Sequence, residues 1–150
     1  MIILCVHLAA GIFAMAMDFF KPFSTSKELA SFIEKRQMAD MLIVGSPDYR
    51  TSPLSAYLGR KIYYLERDDF GSFIIWNNKR KQIEPQEALR KISELTRLKN
   101  KDVLFVSNYG LETSRSDLSI TELAEFTNAI LKSEQYHLYL IRRASPQQGN

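Results

Sequence analysis

Cysteine is nearly absent. Cys5 stands alone, so no internal disulfide and no multi-cysteine metal site can form. It lies in an apolar leader and reads as a small hydrophobe. His7 and His137 are the only histidines, too few for a zinc site without ligands the chain does not visibly supply. Excess charge is small as well, a net +3. The one tight basic run, Lys79-Arg80-Lys81, reads as a solvated turn. No basic patch is interleaved with aromatics, which argues against a nucleic-acid partner. Phosphate-cradling glycine patterns are missing too: only Gly45 precedes the helix where such a loop would sit. Ser46 and Ser107 close apolar runs, but neither lies in a Gly-x-Ser-x-Gly elbow. No internal repeat and no low-complexity segment occurs. The sequence therefore points to no cofactor, no metal and no visible nucleophile–base pair.

What is present is a core. The chain has 150 residues, 45% of them hydrophobic and 25% charged, a composition that supports one folded domain. Its organising stretch runs from Asp40 to Tyr64. The unbroken apolar run Met41–Val44 fits a strand buried on both faces, as in a parallel sheet. A polar turn follows, then a short helix. Thr51 or Ser52 is placed to cap it, Pro53 to open it and Gly59 to follow its end. Lys61–Leu65 is the next strand.

Before this unit lies Ile2–Met17, without a formal charge and just short of the roughly 17–25 residues that span a bilayer. It reads either as a signal peptide, with Ala14-Met15-Ala16 as the cleavage site but no preceding Lys or Arg, or as the end of a transmembrane helix. The third alternative is a buried helix of the domain. Residues 18–25 form an aromatic connector, and Thr25 with Glu28 makes a capping box for a helix to about Arg36. After the organising unit come a charged turn from Glu66 to Gly71 and a third strand at Ser72–Trp76. An amphipathic helix opened by Pro85 carries Ala88, Leu89, Ile92 and Leu95 on one stripe. A strand at Asp102–Ser107 follows. A second capping box, Ser119 with Glu122, and a Leu118–Leu123 staple predict a helix to about Ser133. The last strand is Tyr136–Arg142, and 144–150 is a frayed tail. The expected fold is α/β: a three-layer sandwich around a Rossmann-like, mostly parallel sheet of about five strands, spanning 26–143 behind the apolar helix.

In open parallel sheets ligands favour the crevice beyond the carboxyl ends of the strands. Two loops should meet there, Gly45–Ser52 and Ser107–Asp117, with the segment after Leu65 nearby. The candidate ligand-binding residues are Ser46, Asp48, Tyr49, Arg50, Thr51, Ser52, Asn108 and Tyr109. Asp48 is equally a turn former that bonds its own backbone. Glu66, Asp68 and Asp69 offer acid–base or cation chemistry, against the plainer reading of a charged hairpin tip. His137 has no acid near it in sequence and reads as structural. Tyr57, Tyr63, Tyr64, Trp76 and Tyr109 suit stacking on a sugar, and equally the half-buried face of a sheet.

The runs Val44–Asp48, Ser52–Tyr64 and Phe70–Asn77, behind an apolar helix and the Pro22–Glu28 segment, resemble the C-terminal extracytoplasmic domain of bacterial multi-pass GT-C membrane glycosyltransferases, of the protein mannosyltransferase and ArnT-like kind. In that class the catalytic aspartate and the site for the polyprenyl-linked sugar lie among membrane helices, so no catalytic residue carries over. The resemblance implies a non-catalytic domain, outside the cytoplasm and held at the membrane through residues 1–17. It would shape the acceptor side for a lipid-linked sugar or glycan acceptor, or contact a partner. The alternative is a membrane-tethered or secreted module that binds a small polar ligand.

Overall fold

The computed structural model describes residues 2–78, 80–111 and 115–144. Its helices are α1 (Ile2–Phe20), α2 (Ser26–Lys35), α3 (Asp48–Tyr57) and α4 (Pro85–Lys99). Its strands are β1 (Leu42–Gly45), β2 (Ile62–Tyr64), β3 (Asp69–Gly71), β4 (Val103–Ser107), β5 (Leu118–Phe126) and β6 (Tyr136–Arg143), with a 3-10 turn at Lys132–Glu134. The six strands form one sheet in the order β3-β2-β1-β4-β6-β5. β2, β1 and β4 are parallel, whereas β3 and β6 run antiparallel to their inner neighbours and β5 antiparallel to β6. The expected α/β fold is present. The sheet, however, is mixed and has six strands, where about five mostly parallel ones were expected.

Two local features account for the difference. The helix expected over 119–133 is the strand β5, hairpinned onto β6. A register shift between Glu122 and Ala124 explains why its sequence looks helical. Before the shift, Leu118 and Ile120 pack with α4; after it, Leu123, Ala124 and Phe126 join the cluster that holds α2 and α3. A bulge inserts one residue and moves the apolar set to the other face. Strict alternation is therefore lost, and Leu118, Leu123 and Phe126 mimic a helical stripe. The third strand lies at Asp69–Gly71, not Ser72–Trp76. Phe73, Ile75 and Trp76 belong to an irregular segment and are exposed.

The apolar runs in β1 and β4 are buried as expected, and they divide between two clusters. Ile43, Leu104 and Val106 pack with Leu29, Ile33 and Leu54 of α2 and α3. Val44, Val103 and Phe105 pack with Ala88, Leu89, Ile92 and Leu95 of α4. Each fully buried side chain of this size contributes about 1.5–3 kcal/mol, more than a typical cap, which contributes about 1 kcal/mol. The caps yield accordingly. Thr25 flanks α2 but makes no capping bond; its hydroxyl donates to Phe126 O and Glu134 O, both at 3.1 Å. Pro47, not Thr51 or Ser52, precedes α3, so Pro53 lies inside that helix. Gly59 takes the expected left-handed turn, φ 61°, and Pro85 opens α4.

α1 runs unbroken through Asp18, Phe19 and Phe20 to 19 residues, none of them buried. The expected span thus extends three residues into the connector, and the buried-helix alternative is overturned. By length and composition α1 can cross a membrane; a signal sequence passes the same test. At about 1.5 Å per residue it is nearly as long as the roughly 30 Å hydrocarbon core is thick. At the other end, Ala144 N–H bonds Asp117 O at 3.0 Å; the rest of the expected tail lies outside the described residues.

Candidate functional site: a cleft at the carboxyl edge of the parallel strands

β1 is the point where the chain changes direction across the sheet. From β1 it passes through α3 to β2 on one side; from the β2–β3 hairpin it returns through α4 to β4 on the other. A crevice opens where the strand order reverses in this way. Here it is a cleft of about 400 Å³, lined by Pro47, Tyr49, Glu66, Trp76, Arg80, Gln82, Ile83 and Tyr109. The ends of β1, β2 and β4 supply Pro47, Glu66 and Tyr109, and the irregular segment before α4 supplies the remainder except Tyr49.

Glu66 forms the polar floor. It is 2% exposed, and Ser46 Oγ donates to its Oε1 at 2.6 Å. Its Oε2 has no hydrogen-bond partner among the described residues. Burial pushes this carboxyl above its ordinary range, with the Ser46 bond pulling the other way and the Asp48 charge adding to the rise. The unpartnered Oε2 leaves hydrogen-bonding capacity on the floor of the cleft. The Tyr109 hydroxyl is also buried without a hydrogen-bond partner among the described residues. Burial raises it to about 12, an effect that neighbouring Ser46 opposes.

The rim is built on Asp48 and Arg80. Asp48 is fully buried and accepts Arg80 Nε at 2.9 and 3.1 Å and Arg80 Nη2 at 2.8 Å. It also accepts Tyr49 N–H at 2.8 Å, the local turn bond expected of it. The guanidinium lies 4.8 Å from the Trp76 ring centroid and 5.3 Å from that of Tyr49. A cation shared between two rings holds both in place. Lys81 N–H closes the segment onto Glu66 O at 2.9 Å. Arg80 therefore turns inward, contrary to the solvated turn expected for its run; Lys79 lies outside the described residues.

The structure sorts the eight candidates. Tyr49 and Tyr109 line the cleft, with Ser46 and Asp48 directly behind it. Arg50 does not line the cleft; its guanidinium lies 4.9 Å from the Tyr49 ring centroid, with Nη1 3.4 Å from Glu134 Oε1. Thr51 is buried and donates to Pro47 O at 3.1 Å. Ser52 is a half-buried residue of α3. Asn108 donates to Ser133 O at 3.4 Å. Of the three acids at the expected hairpin tip only Glu66 enters the site; Asp68 and Asp69 are exposed, and Asp68 pairs with Lys91 at 2.7 Å. His137 does meet an acid, Glu122 at 2.8 Å, brought across the hairpin by strand pairing. Of the aromatic set, Trp76 and Tyr109 reach the cleft, Tyr64 is fully buried and Tyr57 is exposed at the end of α3. Gln82 and Ile83 carry no sequence signal because they belong to no regular element; Arg80 stands in the basic run read as a solvated turn, and what marks it for the site is a buried acid needing a cation. Among the described residues, no three His, Cys, Asp or Glu gather as a metal site. No family model, curated protein or solved structure matches the chain.

Proposed function

We propose that this chain is a membrane-anchored binding domain that takes a small, hydroxyl-rich ligand of the sugar class in the cleft. One observation carries the reading: two buried polar groups, Glu66 Oε2 and the Tyr109 hydroxyl, lack partners among the described residues, on the wall of a cleft flanked by Trp76 and Tyr49. An unsatisfied buried polar group costs about 1–3 kcal/mol, and a ligand hydroxyl would relieve both. Aromatic walls with few polar groups suit the apolar faces and hydroxyl edges of a sugar ring. In this reading the body is a three-layer α/β sandwich and α1 crosses a bilayer. The domain stands outside the cytoplasm and serves a GT-C-like glycosyltransferase on its acceptor side without catalysing transfer.

Calorimetric titration of the full chain in detergent tests the cleft. Mannose, glucose, N-acetylglucosamine and their disaccharides are the probes, with nucleotides as the contrasting class. Saturable heat with a sugar, weakened several-fold by Tyr109→Phe and by Glu66→Ala, is the expected result. Heat from no sugar, or binding indifferent to both variants, sinks the proposal.

A further inference from the structure

The attachment of α1 carries a consequence for how the body sits on a membrane. One residue, Lys21, separates the end of α1 from the first bond to the body. Ile130 N–H donates to Pro22 O at 2.9 Å, and Thr25 N–H donates to Glu134 O at 3.1 Å. One residue spans at most about 3.6 Å, so there is no slack between helix and body. Both partners lie in the connection from β5 to β6. Because β6 is antiparallel to β4, with His137 opposite Ser107, that connection lies beside the carboxyl end of β4. The cleft opens at this same edge, a few strands away at about 4.8 Å per strand.

The bonds continue across the edge. The Tyr136 hydroxyl is 2.7 Å from both Arg50 O and Glu134 Oε2, and Glu134 pairs with Arg50 at 3.4 Å. Arg50 follows Tyr49, whose ring borders Trp76 at 6.3 Å between centroids. The edge exposes Phe23, Leu131, Tyr49 and Trp76, with Lys21 and Lys132 among them. Exposed aromatics, Trp and Tyr above all, interspersed with lysine suit a membrane–water boundary.

We propose that the carboxyl edge of the sheet lies against the bilayer surface, so that the cleft opens into the headgroup layer and not into bulk water. This rests on the anchoring proposed above. The occupant of the exposed aromatic edge is the bilayer itself: the short exit of α1 keeps the membrane near it, and the side chains on that edge are those an interface accepts.

Trp76 is the chain's single tryptophan and is 70% exposed, so its emission reports on this edge alone. The full chain is reconstituted into phosphatidylcholine vesicles with and without a headgroup spin-labelled phosphatidylcholine, and acrylamide is added from solution. A control chain carries Trp76→Phe with Leu98→Trp; Leu98 is 76% exposed in the last turn of α4, at the opposite edge of the sheet. Tyr57→Trp on the Trp76→Phe background is a second probe of that edge. Expected are blue-shifted Trp76 emission, strong quenching by the labelled lipid and several-fold weaker acrylamide quenching than in either control. A floating chain whose Trp76 is open to acrylamide and silent to the lipid label overturns the docking alone. Equal lipid quenching at both edges overturns it also, since it indicates adsorption without orientation. A chain that does not float with the vesicles overturns the anchoring, and this proposal with it.

Discussion

Tyr109 and Glu66 combine poor solvation with a place on the cleft, so their removal should help the folded state and harm binding. Phe at 109 keeps the ring and deletes a buried hydroxyl without a partner among the described residues. Tyr109→Phe is expected to raise stability by about 1–3 kcal/mol, the cost of a buried polar group left unpaired. A thermal melt checks this, and a drop of similar size would show that the hydroxyl is bonded in the folded state. Glu66 adds a pH dependence. Its folded pKa lies above the ordinary 4.5 because burial penalises the carboxylate. Between the unfolded and folded values the native state binds more protons than the unfolded state, so stability falls as pH rises through that window. Glu66→Gln retains an acceptor for Ser46 Oγ but cannot ionise. Its melting temperature relative to the parent should be lowest below pH 4.5 and climb as pH rises above it. A gap independent of pH would show that Glu66 does not titrate in the window.

β1 and α3 meet so closely that one methyl group is decisive. A Cβ on Gly45 would collide with Thr51 Oγ1 and stand 2.9 Å from Thr51 Cβ and 3.3 Å from Ile62 Cδ1. Thr51 is itself buried and held by Pro47 O. Gly45→Ala should cost about 1–3 kcal/mol by overpacking, measured by denaturant unfolding. Gly11→Ala in α1, with open space around the site, is the neutral comparison. The same region shows what the sequence made legible. β1, β4 and the α4 stripe could be read because continuous burial and a 3.6-residue period leave plain marks. The strand β5 could not, because its bulge redistributes Leu118, Leu123 and Phe126 over two faces, and its Ser119–Glu122 spacing imitates a capping box. α3 starts earlier than its capping residues suggest because the Thr51 hydroxyl donates to Pro47 O, four residues back, and caps nothing. At the site, Tyr49 and Tyr109 were accessible from strand ends alone. Arg80 was not, since only the folded chain shows that a fully buried Asp48 draws in a cation 32 residues away.

Across the whole molecule, α1 and the body are energetically separate although mechanically joined. No α1 residue is buried by the body, and both core clusters are built without it. The connector's bonds to the body begin at Pro22, beyond the end of α1. Deleting residues 2–20 therefore removes 19 helical residues of which none is buried in the fold, and area-based reasoning assigns them little share of its stability. The shortened chain should melt within a few degrees of the parent in detergent, which scanning calorimetry reads directly. It should also lose co-flotation with vesicles, because the aromatics left on the carboxyl edge bury far less apolar surface than a spanning helix. A truncated chain that unfolds would assign α1 to the fold instead of the membrane. One that floats as well as the parent would move the anchor from α1 to the edge of the sheet.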